Sequence, residues 1–138
     1  MIVVTALLAL ACDTGPDGPG FVPTFITPPT KTETFAGTVA VGGSSSHPFV
    51  TSNYGEINIT LTTAGSPDDI VMGVGLGAPT SVADPTCRLY QNGFRLTAAG
   101  STPQVVGSVP AGAYCVQVFD AGNQPGSVTY SVTVVHPQ

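Results

Sequence analysis

Glu56-Ile57-Asn58-Ile59-Thr60-Leu61-Thr62 alternates without a break. In an extended chain Ile57, Ile59 and Leu61 fall on one side, and Glu56, Asn58, Thr60 and Thr62 on the other. Period two with one apolar face is the mark of a half-buried antiparallel strand. The same rule extends outward. Val128, Tyr130, Val132 and Val134 alternate with Thr129, Ser131 and Thr133. Ile70, Met72, Val74 and Leu76 share a parity, with Gly73, Gly75 and Gly77 opposite them. Phe35, Val39 and Val41 share one around Gly37.

Turn residues separate these runs. Gly42-Gly43-Ser44 follows the first, and Ser66-Pro67-Asp68-Asp69 precedes Ile70. Asn92-Gly93 lies between Cys87-Arg88-Leu89-Tyr90 and Phe94-Arg95-Leu96, which predicts a tight hairpin there. Val109-Pro110-Ala111-Gly112 enters a strand over 113–119, and Asn123-Gln124-Pro125-Gly126 leaves it. No window has a helical period. Eight or nine short strands with Gly/Pro turns predict an all-β fold, a single antiparallel β-sandwich over residues 34–138.

Composition narrows the function. The chain has 138 residues, 17 Gly, 13 Pro and no Trp. Lys and Arg together number three against eight acids, a formal charge of −5. A nucleic-acid partner is excluded, because phosphate binding needs a basic footprint. Coiled coils and helical bundles are excluded by the scarcity of Lys, Arg and Glu.

Residues 2–11 form an uncharged, mostly apolar run that ends at Cys12. Ten helical residues rise about 15 Å, short of a hydrocarbon core about 30 Å thick. The length suits the apolar region of a secretory signal. Leu8-Ala9-Leu10-Ala11-Cys12 resembles the lipobox of bacterial lipoproteins. That resemblance implies cleavage after residue 11 and a lipid on Cys12, so that the protein is held on a membrane of the cell envelope, periplasmic or surface-exposed. Plain secretion, or a buried strand ending in an ordinary cysteine, are the alternatives. Residues 12–33 contain five prolines among 13–33 and read as a flexible linker.

A second resemblance covers residues 34–136. Gly37-Thr38-Val39, Gly43-Ser44-Ser45-Ser46-His47-Pro48-Phe49-Val50 and Ile57-Asn58-Ile59-Thr60-Leu61-Thr62 resemble the opening of a bacterial pre-peptidase C-terminal domain. Cys87-Arg88-Leu89-Tyr90-Gln91-Asn92-Gly93 and Pro110-Ala111-Gly112-Ala113-Tyr114-Cys115-Val116-Gln117-Val118 are similar to its later motifs. The resemblance implies a jelly-roll or immunoglobulin-like sandwich appended to secreted proteins without catalysis of its own. It also implies relatives that bind collagen or carbohydrate, sometimes with calcium.

With Cys12 lipidated, Cys87 and Cys115 remain, and an even pair in an exported domain implies a disulfide. If Tyr114, Val116 and Val118 face the core, Cys115 faces outward and the bridge lies on the outside of a sheet. Two free thiols are the alternative.

Sites for chemistry are sparse, and no catalytic residue is expected. Ser46, His47 and Asp120 contain the residue types of a hydrolytic triad, but no nucleophile elbow accompanies them. His47, beside a Gly/Ser turn, reads as an exposed strand-start histidine. His136, two residues from the end, reads as frayed. A copper site would need two His, a free thiolate and usually Met together, and the first His after Cys115 is His136. Calcium has four weak candidates, Asp68, Asp69, Asp84 and Asp120, on predicted loops. Adjacent Asp residues in Ser-Pro-Asp-Asp equally serve as turn formers. Tyr54, Tyr90, Phe94 and Tyr114 are the candidates for a sugar-stacking platform, with Tyr114 placed in the core by the second resemblance.

Three functions follow in order. The first is a structural or protein-interaction module, lipid-anchored in the envelope, without a cofactor. The second is a surface binding module for a glycan or matrix protein, calcium-assisted or not. An enzyme or electron carrier comes last.

Overall fold

The first strand of the domain pairs with the last. In the computed structural model, which describes residues 23–24, 26–81 and 86–138, eight strands follow one another. They are β1 (Thr30–Val39), β2 (Ser44–Thr51), β3 (Gly55–Gly65), β4 (Met72–Pro79), β5 (Cys87–Thr97), β6 (Val105–Val109), β7 (Gly112–Asp120) and β8 (Val128–Pro137). The segments read as signal peptide, together with Cys12 and the candidate calcium ligand Asp84, lie outside the described residues.

β1 pairs with β8, β2 with β7, β3 with β6 and β4 with β5, all antiparallel. The front half of the domain thus forms one long ribbon with the back half. Rolling that ribbon adds the β3–β8 and β4–β7 ladders. Two four-stranded sheets result, in the orders β1-β8-β3-β6 and β2-β7-β4-β5. This is the strand order of a jelly roll, a β-sandwich in which every connection except β4–β5 crosses to the opposite sheet.

The alternating residues fill the space between the sheets. Ile57, Ile59 and Leu61 of β3 are fully buried, as are Val132 and Val134 of β8. Val74 of β4 and Val116 and Val118 of β7 meet them from the other sheet. Each such side chain contributes roughly 1.5–3 kcal/mol by leaving water. In β3 the register slips at Thr62, so that Leu61 opposes Val132 while Thr63 opposes Ser131. That bulge reverses the parity of the strand end and turns Ala64 inward, where it is buried. Beyond Ile59 the edge of β3 is covered by the Gln104 side chain. Its Oε1 accepts from Leu61 N at 2.7 Å and its Nε2 donates to Leu61 O at 3.3 Å.

Several expectations need correction. β1 begins at Thr30 and takes in the last four residues of the stretch read as linker, because Thr30–Glu33 pair with Val134–Pro137. Val41 is not part of the strand; it lies in the β1–β2 turn and is exposed. There, Gly42 takes a φ of 70° and Gly43 N donates to Ala40 O at 2.8 Å. The hairpin at Asn92-Gly93 does not form. A type I′ turn requires positive φ at both central residues, and neither has it. Residues 87–97 instead run as one strand along β4.

The glycines of β4 are covered rather than solvated. A Cβ on Gly73 would overlap the Phe119 ring, and one on Gly75 would meet Phe94 Cβ at 2.6 Å and Leu89 Cδ2 at 2.9 Å. Phe94 and Phe119 meet edge to face with centroids 6.0 Å apart. Beside them Cys87 and Cys115 form a disulfide with Cα atoms 5.8 Å apart. Cys115 lies opposite Gly77, whose missing side chain leaves room for Cys87 Sγ. The bridge therefore lies outside the core, on the outer face of its sheet, and spans from β7 to β5.

Candidate functional site

Four residues of β5 oppose one residue of β4. Gly75 pairs with Phe94 and Gly77 with Leu89, so Tyr90, Gln91, Asn92 and Gly93 all face Leu76. Gly93 lets the bulge lie close, since a Cβ there would meet the Leu76 carbonyl oxygen at 2.9 Å. A bulge of this kind re-aims side chains at the rim of a sheet. β5 is the edge of its sheet and β6 the edge of the other. The two edges border a groove of about 560 Å³. Tyr90, Gln91, Asn92 and Arg95 line one side, Val105 to Pro110 the other, and Tyr114 with Leu76 lies between them. That volume falls within the range of sites for small molecules.

Two of the four aromatic candidates come together here. The Tyr114 ring is buried, and its hydroxyl donates to Pro110 O at 2.8 Å. Burial, and then the neighbouring Tyr90, push the Tyr114 hydroxyl above its usual value of 10.0. Tyr90 is 43% exposed and lines the groove. Tyr54 is exposed but outside the groove, and Phe94 packs over Gly75 on the outer face. Gln91, Asn92 and Arg95 were not among the site candidates read from the sequence. The signal available was that Arg88 and Arg95, two of the three cations, fall within one strand.

Both histidines are packed, His136 buried and His47 half-buried, which corrects both sequence readings. His47 follows the inward parity of β2 with Phe49 and Thr51, so Ser46 points to the opposite face and the imagined triad does not assemble. Phe35 stacks on the His47 ring at 4.8 Å between centroids. The Tyr130 hydroxyl donates to Ser45 Oγ at 2.7 Å and lies 2.7 Å from His47 Nε2, from which it accepts. Gly37 opens the space for that phenol, since a Cβ there would meet Tyr130 Oη at 2.8 Å. His136 continues the inward face of β8 and is 1% exposed. Its Nε2 lies 3.1 Å from Glu33 Oε1 and its Nδ1 2.8 Å from Pro137 O. Far from fraying, the chain end is held, and Gln138 N donates to Pro29 O at 2.8 Å.

These groups set an acid limit on stability. Burial holds His47 below its usual value of 6.5. The hydrogen bond from Lys31 holds Glu33 below 4.5, and the Gly42 amide holds Asp120 below 3.8. In each case the unfolded chain takes the proton more readily, so the stability is present above the usual value and lost as pH falls. His47 acts first, below pH 6.5. His47→Gln is expected to flatten the loss of stability between pH 7 and about pH 5, read as urea midpoints. An unchanged slope would mean that another group carries it.

The three calcium candidates among the described residues, Asp68, Asp69 and Asp120, are turn groups. Asp120 Oδ2 accepts from Gly42 N and Oδ1 from Gly122 N, both at 2.7 Å. Asp68 and Asp69 lie exposed in the turn after β3. Among the described residues no three of His, Cys, Asp and Glu converge on one point. No protein-family model matches this chain, and no curated protein matches it.

Proposed function

We propose that the chain is a non-catalytic binding module of the cell envelope, anchored by lipid on Cys12, whose jelly roll takes a glycan in the β5–β6 groove. The groove itself carries this reading. It offers the partly exposed phenol of Tyr90, amide donors and acceptors on Gln91 and Asn92, and an apolar wall from β6. Sugars present both an apolar ring face and a rim of hydroxyls, and this lining answers both. The anchoring rests on the apolar run 2–11 and the residues that precede Cys12.

The test is binding of the soluble domain to an oligosaccharide panel by calorimetry. Tyr90→Ala is expected to weaken binding at least tenfold, on the scale that hot-spot aromatics show. Tyr54→Ala, outside the groove, is expected to leave it unchanged. Equal loss from both variants, or no binding of any saccharide, would overturn the reading. A protein-interaction role is the second reading. It is supported by the position of β5 and β6 as edge strands, with Leu96 and Val106 each 57% exposed along them.

A further inference from the structure

Charge is distributed unevenly over the domain. The chain has eight acids and three cations. Lys31 is paired with Glu33 at 2.9 Å on β1, the edge opposite β6 in its sheet. The other two cations, Arg88 and Arg95, both lie on β5. Arg95 lines the groove, and no acidic residue does. In a protein of formal charge −5, the groove is therefore a local reversal of sign.

Arg95 is also free to act. It is exposed, and among the described residues neither arginine has a carboxylate partner within ion-pair distance. Nη1 donates to Phe94 O at 2.8 Å, which fixes the guanidinium against its own strand. The remaining donors of the fork stay available, and a planar fork matches a carboxylate with two parallel hydrogen bonds. Asn92 and Gln91 stand on the same wall, and Tyr90 offers its ring.

We infer that the groove selects saccharides that carry a carboxylate, with Arg95 reading the charge while Tyr90 takes the sugar face. This rests on the glycan reading above and adds the ligand class. Selectivity comes from the guanidinium, because a carboxylate accepts two charge-assisted hydrogen bonds from the fork and the hydroxyls of a neutral sugar accept only weaker ones.

The experiment compares an oligogalacturonate with its carboxyl-reduced, neutral counterpart on the folded domain, by calorimetry at low and at physiological salt. The uronate is expected to bind at least tenfold tighter, with the ratio shrinking as salt rises. Arg95→Gln is expected to remove the difference, and Arg88→Gln to keep it. Arg95→Lys keeps the charge without the fork, and is expected to retain only part of the preference. Circular dichroism of each variant separates lost recognition from lost folding. Equal affinity for the two saccharides, or a preference that survives Arg95→Gln, would overturn the carboxylate inference and leave the glycan reading standing. Binding of a sulfated sugar without a carboxylate as tightly as the uronate would overturn the selectivity for carboxylate. Binding of neither saccharide by the unmodified domain, with none of the wider panel bound, would overturn the glycan reading itself.

Discussion

Replacing Cys87 and Cys115 together by alanine is expected to lower the stability of the domain by about 3 to 4 kcal/mol. The bridge joins residues 28 apart in sequence, and a closed loop of that size removes this much conformational freedom from the unfolded chain. The loss has a second source, because Cys115 is fully buried over the glycines of β4. On a domain of this length the melting temperature should fall by roughly 12–20 °C. Reduction of the unmodified protein should reproduce most of the drop. A shift of about 2 °C or less by either route would show that the outer layer of Phe94, Phe119 and Leu89 holds β5 to β7 without the bridge.

Ala64→Asp is expected to cost about 3 to 5 kcal/mol, the range for an uncompensated buried charge. Thr63→Asp next to it should change stability by no more than about 0.5 kcal/mol, as surface substitutions do. The contrast depends on the bulge at Thr62. Continued in strict alternation from Leu61, Thr63 would face inward and Ala64 outward, and the two variants would exchange their effects. Denaturant midpoints of both decide the matter, and a tolerant Ala64 would mean that β3 runs straight past Thr62.

The sandwich was legible in the sequence wherever one face of a strand is buried and the other is wet. Ile57, Ile59 and Leu61 needed only period two, and so did Val128 to Val134. His136 lay on the same parity as Val134, so the pattern already placed it inside. Its nearness to the chain end argued otherwise, and the pairing of β8 with β1 decided for burial. Asn92-Gly93 misled for a different reason. A hairpin dipeptide acts only if its flanking runs pair with each other, and both runs found β4 instead. β6 was missed as a strand, since Val105 and Val109 are separated by exposed residues and offer no clean alternation. The groove could not be read at all from local pattern. Its walls belong to different sheets, and only the roll brings β5 and β6 side by side. Of its residues, Tyr90 and Tyr114 were legible as aromatics, while Arg95 gained meaning only from the absence of acids around it.

The pairing of β1 with β8 also sets an order in time. β8 lies in the middle of its sheet, flanked by β1 and β3. A chain that emerges amino terminus first, from a ribosome or through a membrane pore, presents β1 and β3 long before the strand that joins them. Until residues 128–137 arrive, their facing edges and the apolar faces of Ile57, Ile59 and Leu61 have no partner. Contacts so distant in sequence close slowly, and the waiting edges are open to other chains. Folding of this domain therefore waits for its last strand, and a chain stalled short of β8 is a substrate for chaperones and proteases rather than a shorter version of the protein.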